Sequence, residues 1–235
     1  MTSSCPDFEL GLPCPGGSTL SLRLMPERAV FDSRSSTLLV ADVHLGKAAV
    51  FRARGIPVPQ GTTTATLARL SQAVERCQAR RLVVLGDLLH AKESHAPDTM
   101  AVFRNWRQRH AELECWVVEG NHDRHAGALA TELGFHCTDE FLASDWCGMH
   151  GDRPRPSNSA WVLEGHVHPV VHLRSSVDRL RLPCFWLHGQ VLTLPAFGEF
   201  TGGHVVGPPT QAAERLFVVS KTVNEMNRSA VRDRP

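Results

Sequence analysis

The sequence is poor in the features that mark secreted, membrane-spanning or strongly basic proteins. Its 235 residues carry a formal net charge of only +1, so any contact with nucleic acid would need a local basic patch. The seven cysteines are odd in number and never spaced Cys-x-x-Cys, which argues against a disulfide framework and against a cysteine-ligated zinc site. No apolar run approaches the roughly 18 residues of a membrane span, and the N-terminus lacks the basic start and apolar core of a signal peptide. We therefore expect a cytoplasmic protein without membrane contact.

What the chain does contain is the residue balance of a globular domain. It is 42% hydrophobic and 21% charged, which is sufficient for a full hydrophobic core. Neither an internal repeat nor a low-complexity linker divides the chain, and the segment 221–235 is polar and ends in proline. We predict a single domain over residues 1–235, with a core of about 25–220 and loose termini.

Short runs of β-forming residues alternate with amphipathic segments in the first half of the chain. Apolar residues spaced by three and four predict helices over 62–80 and 98–110. Predicted strands lie at 29–31, 37–41, 81–85, 115–119, 161–164, 184–188, 191–194 and 216–220. This order favours a layered α/β fold, with a mixed or antiparallel sheet in the second half.

Polar residues follow several predicted strands at the point where each strand ends. The clusters are Asp42-Val43-His44, Gly86-Asp87, Gly120-Asn121-His122-Asp123 and Gly165-His166-Val167-His168. Because the carboxyl ends of strands in α/β sheets face a common crevice, we expect these side chains to converge on one site. Residues i and i+2 of an extended segment point to the same side, so each pair spaced in this way can direct two ligands into the site.

The ligand types indicate a metal site. Aspartate, histidine and asparagine without cysteine suit a divalent ion such as Mn²⁺, Fe²⁺ or Zn²⁺. The candidates are too many for one ion and about enough for two. Two ions sharing a carboxylate form the clamp that is used for the displacement of phosphate esters.

The ordered motifs Asp-x-His, Gly-Asp, Gly-Asn-His-Asp, a lone histidine and Gly-His-Val-His resemble those of the calcineurin-like metallophosphoesterase superfamily. Residues 42–64, 84–92 and 194–203 resemble, within it, the PdeM family of ligase-associated DNA-damage-response endonucleases. The resemblance implies a four-layer αββα sandwich of two mixed β-sheets flanked by helices.

The same resemblance implies a role for each candidate ligand and names manganese ahead of iron or zinc. One of two divalent ions would be held by the set Asp42, His44, Asp87 and His168. Asp87 would bridge to the second ion, which would be held by the set Asn121, His150 and His166.

Three further residues receive catalytic roles by the resemblance. His122 would donate a proton to the leaving oxygen, because a histidine with an ordinary pKa of about 6.5 can do so at neutral pH. Asp123 would orient the His122 ring. His90 would lie near the substrate phosphate, with a helix-cap or packing role as the alternative.

Some assignments remain open from the sequence. His136 competes with His150 for the ligand position, and we favour His150. The basic residues Lys47, Arg52 and Arg54, and separately the pair Arg153 and Arg155, are either contacts to a phosphate backbone or ordinary surface charges. Glu199 lies in the resembling stretch 194–203, but its spacing indicates no role.

The function that these features favour is that of a dinuclear-metal phosphodiesterase. Hydroxide generated at the ions would attack a phosphodiester of DNA, single-stranded by preference, as a repair endonuclease. The alternatives are a small-molecule or cyclic-nucleotide phosphodiesterase or phosphomonoesterase, and a catalytically inert scaffold. The gene-cluster context of the PdeM family raises a repair ligase and a helicase as partners, and the oligomeric state, a homodimer included, is left open.

Overall fold

The strands of the chain form two β-sheets, and separate clusters of the hydrophobic core pack against the faces of these sheets. The computed structural model describes residues 6–53, 55–59, 61–89, 97–123, 129–155, 161–174 and 179–226. Within these ranges, the elements of the first sheet and its helices are β1 (Phe8–Pro13), β2 (Thr19–Met25), β3 (Ala29–Asp32), β4 (Thr37–Ala41), α1 (Lys47–Ala53), α2 (Thr62–Cys77), β5 (Arg81–Leu85), α3 (Pro97–Arg109), β6 (Glu114–Val118), α4 (Leu129–Glu132) and β7 (His136–Thr138). The second sheet consists of β8 (Phe141–Leu142), β9 (Trp146–Met149), β10 (Trp161–Glu164), β11 (Pro169–Arg174), β12 (Arg179–His188), β13 (Val191–Thr193), β14 (His204–Val205), β15 (Glu214–Val219) and β16 (Val223–Glu225).

The first sheet runs in chain order from β1 to β7. Its strands pair antiparallel up to β4 and parallel from β4 to β7. Strands β4 and β5 are buried on both faces, since Val40 and Val84 belong to one core cluster while Leu39 and Val83 belong to the other. This explains why these strands are apolar at almost every position rather than alternating.

Helices α2 and α3 contribute to the core cluster on the outer face of the first sheet. The predicted spacing is confirmed in α2, where Leu67, Leu70 and Val74 are buried. The helix ends at Cys77, and the residue after it, Gln78, has a left-handed backbone and donates its N–H back to the carbonyls of the last turn. No helix in the part of the chain that the structure describes is long and apolar enough to cross a membrane.

The second sheet packs its inner face against the first sheet. Its order is β14-β11-β12-β13-β10-β9-β8, with β15 paired to β12 and β16 paired to β15. Leu85 of the first sheet shares a core cluster with Trp146, Phe185 and Phe217 of the second. The predicted α/β sandwich of two mixed sheets is confirmed.

The sequence predictions locate the central elements well and the N-terminus poorly. Strands β4, β5 and β10 have the predicted bounds, while α2 ends at Cys77 rather than at residue 80. The core begins earlier than the predicted residue 25, because β1 and β2 bury alternating leucines such as Leu10 and Leu22. At the other end, the predicted tail contains β16.

Candidate metal centre

The predicted ligands come from loops at the carboxyl ends of five strands. Asp42 follows β4, Asp87 follows β5 and Asn121 follows β6, all in the first sheet, whereas His150 follows β9 and His166 follows β10 in the second. Backbone hydrogen bonds join these loops. The N–H of Asp42 donates to the carbonyl of Gly86 over 3.1 Å, and the N–H of Gly165 donates to that of His150 over 3.1 Å. The site therefore spans both sheets.

The backbone at these strand ends turns sharply. The predicted ligands with positive φ are Asp42 (53°), His44 (47°), Asp87 (52°), His166 (69°) and His168 (53°). Non-glycine residues rarely adopt this left-handed region, and such strain is concentrated at functional sites in proteins. The spacing i and i+2 predicts extended segments. The side chains of these pairs come together instead because the backbone turns at each of the residues.

Two groups of ligand atoms share the Asp42 carboxylate. Asp42, His44 and His168 form one group, and Asp42, Asp87 and His150 form the other, with the ligand atoms of each group within 4.8 Å of one another. The distance from Asp42 Oδ1 is 3.1 Å to His168 Nε2 and 3.8 Å to His150 Nδ1. A carboxylate in this position can contribute to neighbouring cation sites.

The remaining predicted ligands join this cluster through His150. His150 Nε2 lies 3.1 Å from Asn121 Oδ1, 3.1 Å from His166 Nδ1 and 3.6 Å from Asp87 Oδ2. The structure therefore brings together all seven residues that were predicted as ligands. The competing candidate His136 lies instead on β7, where its ring is 4.7 Å from that of Trp116.

Hydrogen bonds on the far side of two imidazole rings select the tautomer that a metal needs. His150 Nδ1 is 3.1 Å from the Leu85 carbonyl, and His168 Nδ1 is 2.9 Å from the Thr201 carbonyl. A carbonyl oxygen only accepts, so each Nδ1 carries the proton. The Nε2 lone pair of each ring is then directed toward the carboxylates, as in metal-binding histidines.

The electrostatics of the cluster fit a divalent cation. Among the residues that the structure describes, Asp42 Oδ1 and His168 Nε2 are buried and have no hydrogen-bond partner. Burial raises the pKa of Asp87, an effect that the neighbouring Asp42 reinforces and His150 opposes. Burial would lower the pKa of His168, but contact with Asp42 raises it above its ordinary value. A cation among these atoms would offset the burial of two carboxylates.

Gly86 is a necessary part of this geometry. Its φ is +79°, and a Cβ built on it would lie 2.0 Å from His150 Nδ1. A side chain here would displace the buried His150 ring and strain the turn that precedes Asp87.

His122 lies at the open side of the cluster. Its backbone N–H donates to Asp87 Oδ1 over 3.0 Å, and its Nε2 lies 3.9 Å from Asp87 Oδ2. The side chain is 37% exposed, so it can reach both the cluster and an incoming substrate.

Asp123 joins two of the ligand-bearing loops. Its carboxylate accepts hydrogen bonds from the N–H groups of Leu89 and Gly120, each over 3.1 Å. Burial raises the pKa of Asp123 to about 6. The predicted contact of Asp123 with the His122 ring stays a prediction. His90, the third residue with a predicted catalytic role, lies outside the described residues.

The other basic residues considered from the sequence have separate partners or positions. Arg155 donates to Glu164 over 3.0 Å, and Arg153 pairs with Asp139. These pairs favour a structural role for that loop. Arg52 donates to the Pro59 carbonyl over 3.2 Å, while Arg54 lies outside the described residues.

Residues 196–201 support the centre through backbone hydrogen bonds, although their sequence indicates no role for them. The N–H groups of Phe197 and Gly198 donate to the carbonyls of Ala41 and Asp42 over 2.8 and 3.0 Å. Thr201 accepts the hydrogen bond from His168. Main-chain contacts of this kind leave little trace in residue types, although the glycine at 198 is a signal: a Cβ there would lie 2.3 Å from the Val43 carbonyl oxygen.

The comparison with solved structures identifies relatives of this chain. The crystal structure of the Pseudomonas putida nuclease MPE matches with a TM-score of 0.77 and 39% sequence identity, covering 93% of this chain and 100% of that one. The chain belongs to the calcineurin-like metallophosphoesterases. It is therefore a metal-dependent phosphoesterase, and its clustered Asp and His side chains could bind divalent metal.

Other matches to this metallophosphoesterase are more distant. Yfce, a phosphoesterase from E. coli, is 15% identical with a TM-score of 0.43, covering 81% of this chain and 97% of its own. A predicted phosphoesterase from Streptococcus pneumoniae is 16% identical with a TM-score of 0.32, covering 82% and 88%. Comparisons with protein-family models and with curated proteins gave no match.

Proposed function

We propose that this metallophosphoesterase is a nuclease that hydrolyses phosphodiester bonds of DNA, with single strands preferred. The observation that carries the proposal is the likeness to the nuclease MPE, which is 39% identical over 93% of this chain. The Asp and His cluster supports it, because its groups of ligand atoms share carboxylates as a pair of divalent ions would require.

In this proposal the seven predicted ligands hold two ions, with manganese preferred. The first ion belongs to the set Asp42, His44, Asp87 and His168, and the second to the set Asp87, Asn121, His150 and His166. When bound, the ions supply positive charge to the phosphoryl oxygens and lower the pKa of the attacking water. The protein's own contribution is to hold these donors in a fixed arrangement through the turns at the strand ends.

His122 holds the proton that the leaving oxygen requires. Its side chain is 37% exposed and its Nε2 lies 3.9 Å from Asp87 Oδ2, so it stands at the open side of the cluster. Breaking a phosphodiester of DNA releases an alkoxide, which is a poor leaving group until it is protonated. Asp123 keeps the loop of His122 against the loop of Asp87 through its two backbone hydrogen bonds.

The biological setting forms a further part of the proposal. We place the enzyme in DNA repair in the cytoplasm, with a repair ligase and a helicase as candidate partners. The support for this is the resemblance of residues 42–64, 84–92 and 194–203 to the PdeM family.

A metal-by-substrate activity panel tests the proposed function. Purified protein is stripped of metal, reconstituted with Mn²⁺, Fe²⁺ or Zn²⁺, and assayed on single-stranded DNA, duplex DNA, cyclic nucleotides and a phosphomonoester. We expect the highest turnover on single-stranded DNA with Mn²⁺ and none in the Asp87→Asn variant. Higher kcat/KM on a cyclic nucleotide or a monoester than on DNA would replace the nuclease with a small-molecule phosphoesterase.

A further inference from the structure

Two residues outside the predicted ligand set share the unusual backbone of the metal centre. Nine non-glycine residues in the described part of the chain have a positive φ, and five of them are predicted ligands. Of the other four, Arg28 (φ 65°) and Phe200 (φ 59°) line one cavity, which also contacts the ligand His168. An aromatic residue in the left-handed region is a marked outlier and indicates a functional constraint.

This cavity, which we call the flanking pocket, has a volume of about 150 Å³. It lies between the strands β11 and β12 and the segment 196–202, and its lining includes Arg28, His168, Pro169, Arg181, Pro183 and Phe200. Phe200 also lines a smaller cavity beside the ligand His44. Phe200 therefore lines two cavities, and each of them is also lined by a predicted metal ligand.

The Phe200 ring is exposed, yet its backbone is fixed. Its residue is 44% exposed. On one side, the Gly198 N–H donates to the Asp42 carbonyl over 3.0 Å, and on the other, the Thr201 carbonyl accepts from His168 over 2.9 Å. A rigid, exposed aromatic ring loses little entropy when a flat ligand stacks on it.

The flanking pocket has an excess of positive charge. Glu199 Oε1 lies 2.8 Å from Arg69 Nη1 and 3.5 Å from Arg28 Nη1. A single negative charge is therefore paired with two positively charged guanidinium groups. Arg181 has no ion pair or hydrogen bond to any residue that the structure describes, and its guanidinium lies against the backbone at Gly203. The guanidinium of Arg181, which lines the pocket together with Phe200, suits a phosphate joined to a base, and Arg28 adds positive charge to the same lining.

We propose that the flanking pocket binds the nucleotide next to the scissile phosphate, with its base stacked on Phe200 and its phosphate held by Arg181 and Arg28. The inference rests on the proposed nuclease function and extends it to a substrate subsite. A base can lie on Phe200 only when it has left the stack of a duplex. The subsite would therefore account for a preference for single strands, which the metal cluster alone does not supply.

The stacking contact is tested with substrates that differ only in their bases. Cleavage of oligothymidylate is compared with that of an abasic oligomer of the same length and charge, for the wild type, Phe200→Gly and Phe200→Trp. Because stacking of one base on an aromatic ring changes affinity by roughly tenfold, the wild-type kcat/KM is expected to be about tenfold higher on oligothymidylate. Phe200→Gly should reduce this ratio to about one, and Phe200→Trp should retain it.

The variant Phe200→Gly and a control substitution at an exposed residue separate a loss of base stacking from misfolding. Glycine adopts a positive φ without strain, so Phe200→Gly is expected to keep or raise the melting temperature. Leu142→Ala, which removes an exposed apolar side chain on β8, should leave the ratio at the wild-type value.

The outcomes distinguish the subsite from the proposed function. A tenfold base preference that survives Phe200→Gly would overturn the stacking contact while leaving the nuclease intact. Equal cleavage of both oligomers by the wild type would overturn it as well. If the wild type cleaves neither oligomer but hydrolyses a small phosphodiester, the nuclease function fails and the subsite fails with it.

The phosphate contact has its own readout in the salt dependence of binding. In the background of Asp87→Asn, which prevents cleavage, the affinity for oligothymidylate is measured against salt concentration. Removing one phosphate contact from a single strand lowers the slope of log K against log salt by about 0.7, the result expected for Arg181→Gln. Phe200→Gly should weaken binding without changing the slope, and an unchanged slope in Arg181→Gln would remove Arg181 from the proposal.

Discussion

The side chain of His122 is more exposed than those of His44, His150 and His168, and the predicted ligand His166 is exposed as well. The His122 side chain is 37% exposed, whereas the side chains of His44, His150 and His168 are 2%, 1% and 14% exposed. A ligand benefits from burial, while a proton donor must meet the substrate and recover its proton from water. Although His122 lies close enough to His44 and Asp87 to bind a metal, its exposed side chain is accessible to a substrate, as the proposed role of acid requires.

Replacing His122 by alanine tests this role through the leaving group. General acids contribute roughly 10²–10⁴-fold to rate, so kcat on DNA should fall by about that factor in His122→Ala. A p-nitrophenyl phosphodiester should lose much less, because p-nitrophenolate departs without a proton. His136→Ala on β7 is the matched control and should leave both rates near the wild-type values. Equal losses on the two substrates would contradict an acid and indicate a metal ligand.

Gly86 and Gly17 allow backbone strain to be separated from a clash within the centre. Their φ values are +79° and +84°, but a Cβ on Gly17 would meet nothing within 4 Å, whereas one on Gly86 would meet His150. Gly17→Ala should cost about 1–2 kcal/mol of unfolding free energy, the cost of the left-handed backbone. Gly86→Ala should cost more and also lower the metal content, as measured by denaturation and elemental analysis. Similar losses with full metal content in both variants would contradict the clash.

At the scale of elements, the parallel strands that carry the centre are joined by a charged pair at their start. Arg81 on β5 lies opposite Glu114 on β6, and Arg81 Nε donates to Glu114 Oε2 over 2.9 Å. The hydrogen bond from Arg81 is the largest cause that lowers the pKa of Glu114 below its ordinary value.

This pair makes a pH-dependent contribution to stability with a defined sign. Because the folded pKa of Glu114 is lowered, its contribution is complete above the unfolded pKa of 4.5 and is lost as the pH falls through the folded pKa. Glu114 is 39% exposed, so the pair should contribute at most about 1 kcal/mol at pH 7. Urea denaturation should show Glu114→Gln less stable than the wild type at pH 7, with the difference shrinking below pH 4.5. A difference that grows on acidification would contradict this assignment.

The sequence predicts elements where apolar runs are continuous and fails where the signal is broken. Strands β4 and β5 are recognised because burial on both faces makes almost every position apolar. In β1 and β2, leucines alternate with exposed residues, and Gly11 and Pro13 weaken the β-forming pattern, so this hairpin is missed. The recurrence of leucine at every second position was the signal from which this hairpin could have been predicted.

At the scale of the whole molecule, the metal centre joins the two sheets. Asp42 and Asp87 extend from the first sheet, and His166 and His168 extend from the second. Ions that bind only the folded chain stabilise it by mass action, by about 2.7 kcal/mol at a hundredfold excess over Kd.

Removal of the metal should therefore lower the melting temperature of the entire molecule. For a domain of this size, about 2.7 kcal/mol corresponds to roughly 5–10 °C, which calorimetry with and without a chelator would detect. The Asp87→Asn variant should show a smaller shift, since it lacks one of the two carboxylates that occur in more than one group of ligand atoms. A chelator effect as large in Asp87→Asn as in the wild type would contradict the central position of Asp87.

The clustering of the predicted ligands could be predicted from the sequence, but the contacts around them could not. Asp42, Asp87 and His168 stand in motifs with characteristic spacing, and the structure brings them together. Thr201 and Gly198 support the cluster through main-chain atoms, which every residue possesses. The residue types therefore give little indication of these contacts. The flanking pocket likewise depends on the meeting of β11, β12 and the segment 196–202, which no local pattern encodes.

The distribution of the ligands along the chain has a consequence for biosynthesis. Asp42 leaves the ribosome well before His168, and β12 needs its neighbour β15 (Glu214–Val219), which is synthesised later still. Domains fold during synthesis only as their partners emerge. A nascent or prematurely terminated chain thus carries most of the ligands and no assembled centre. The order of translation by itself delays the appearance of a phosphoester-cleaving site until β15 has been synthesised.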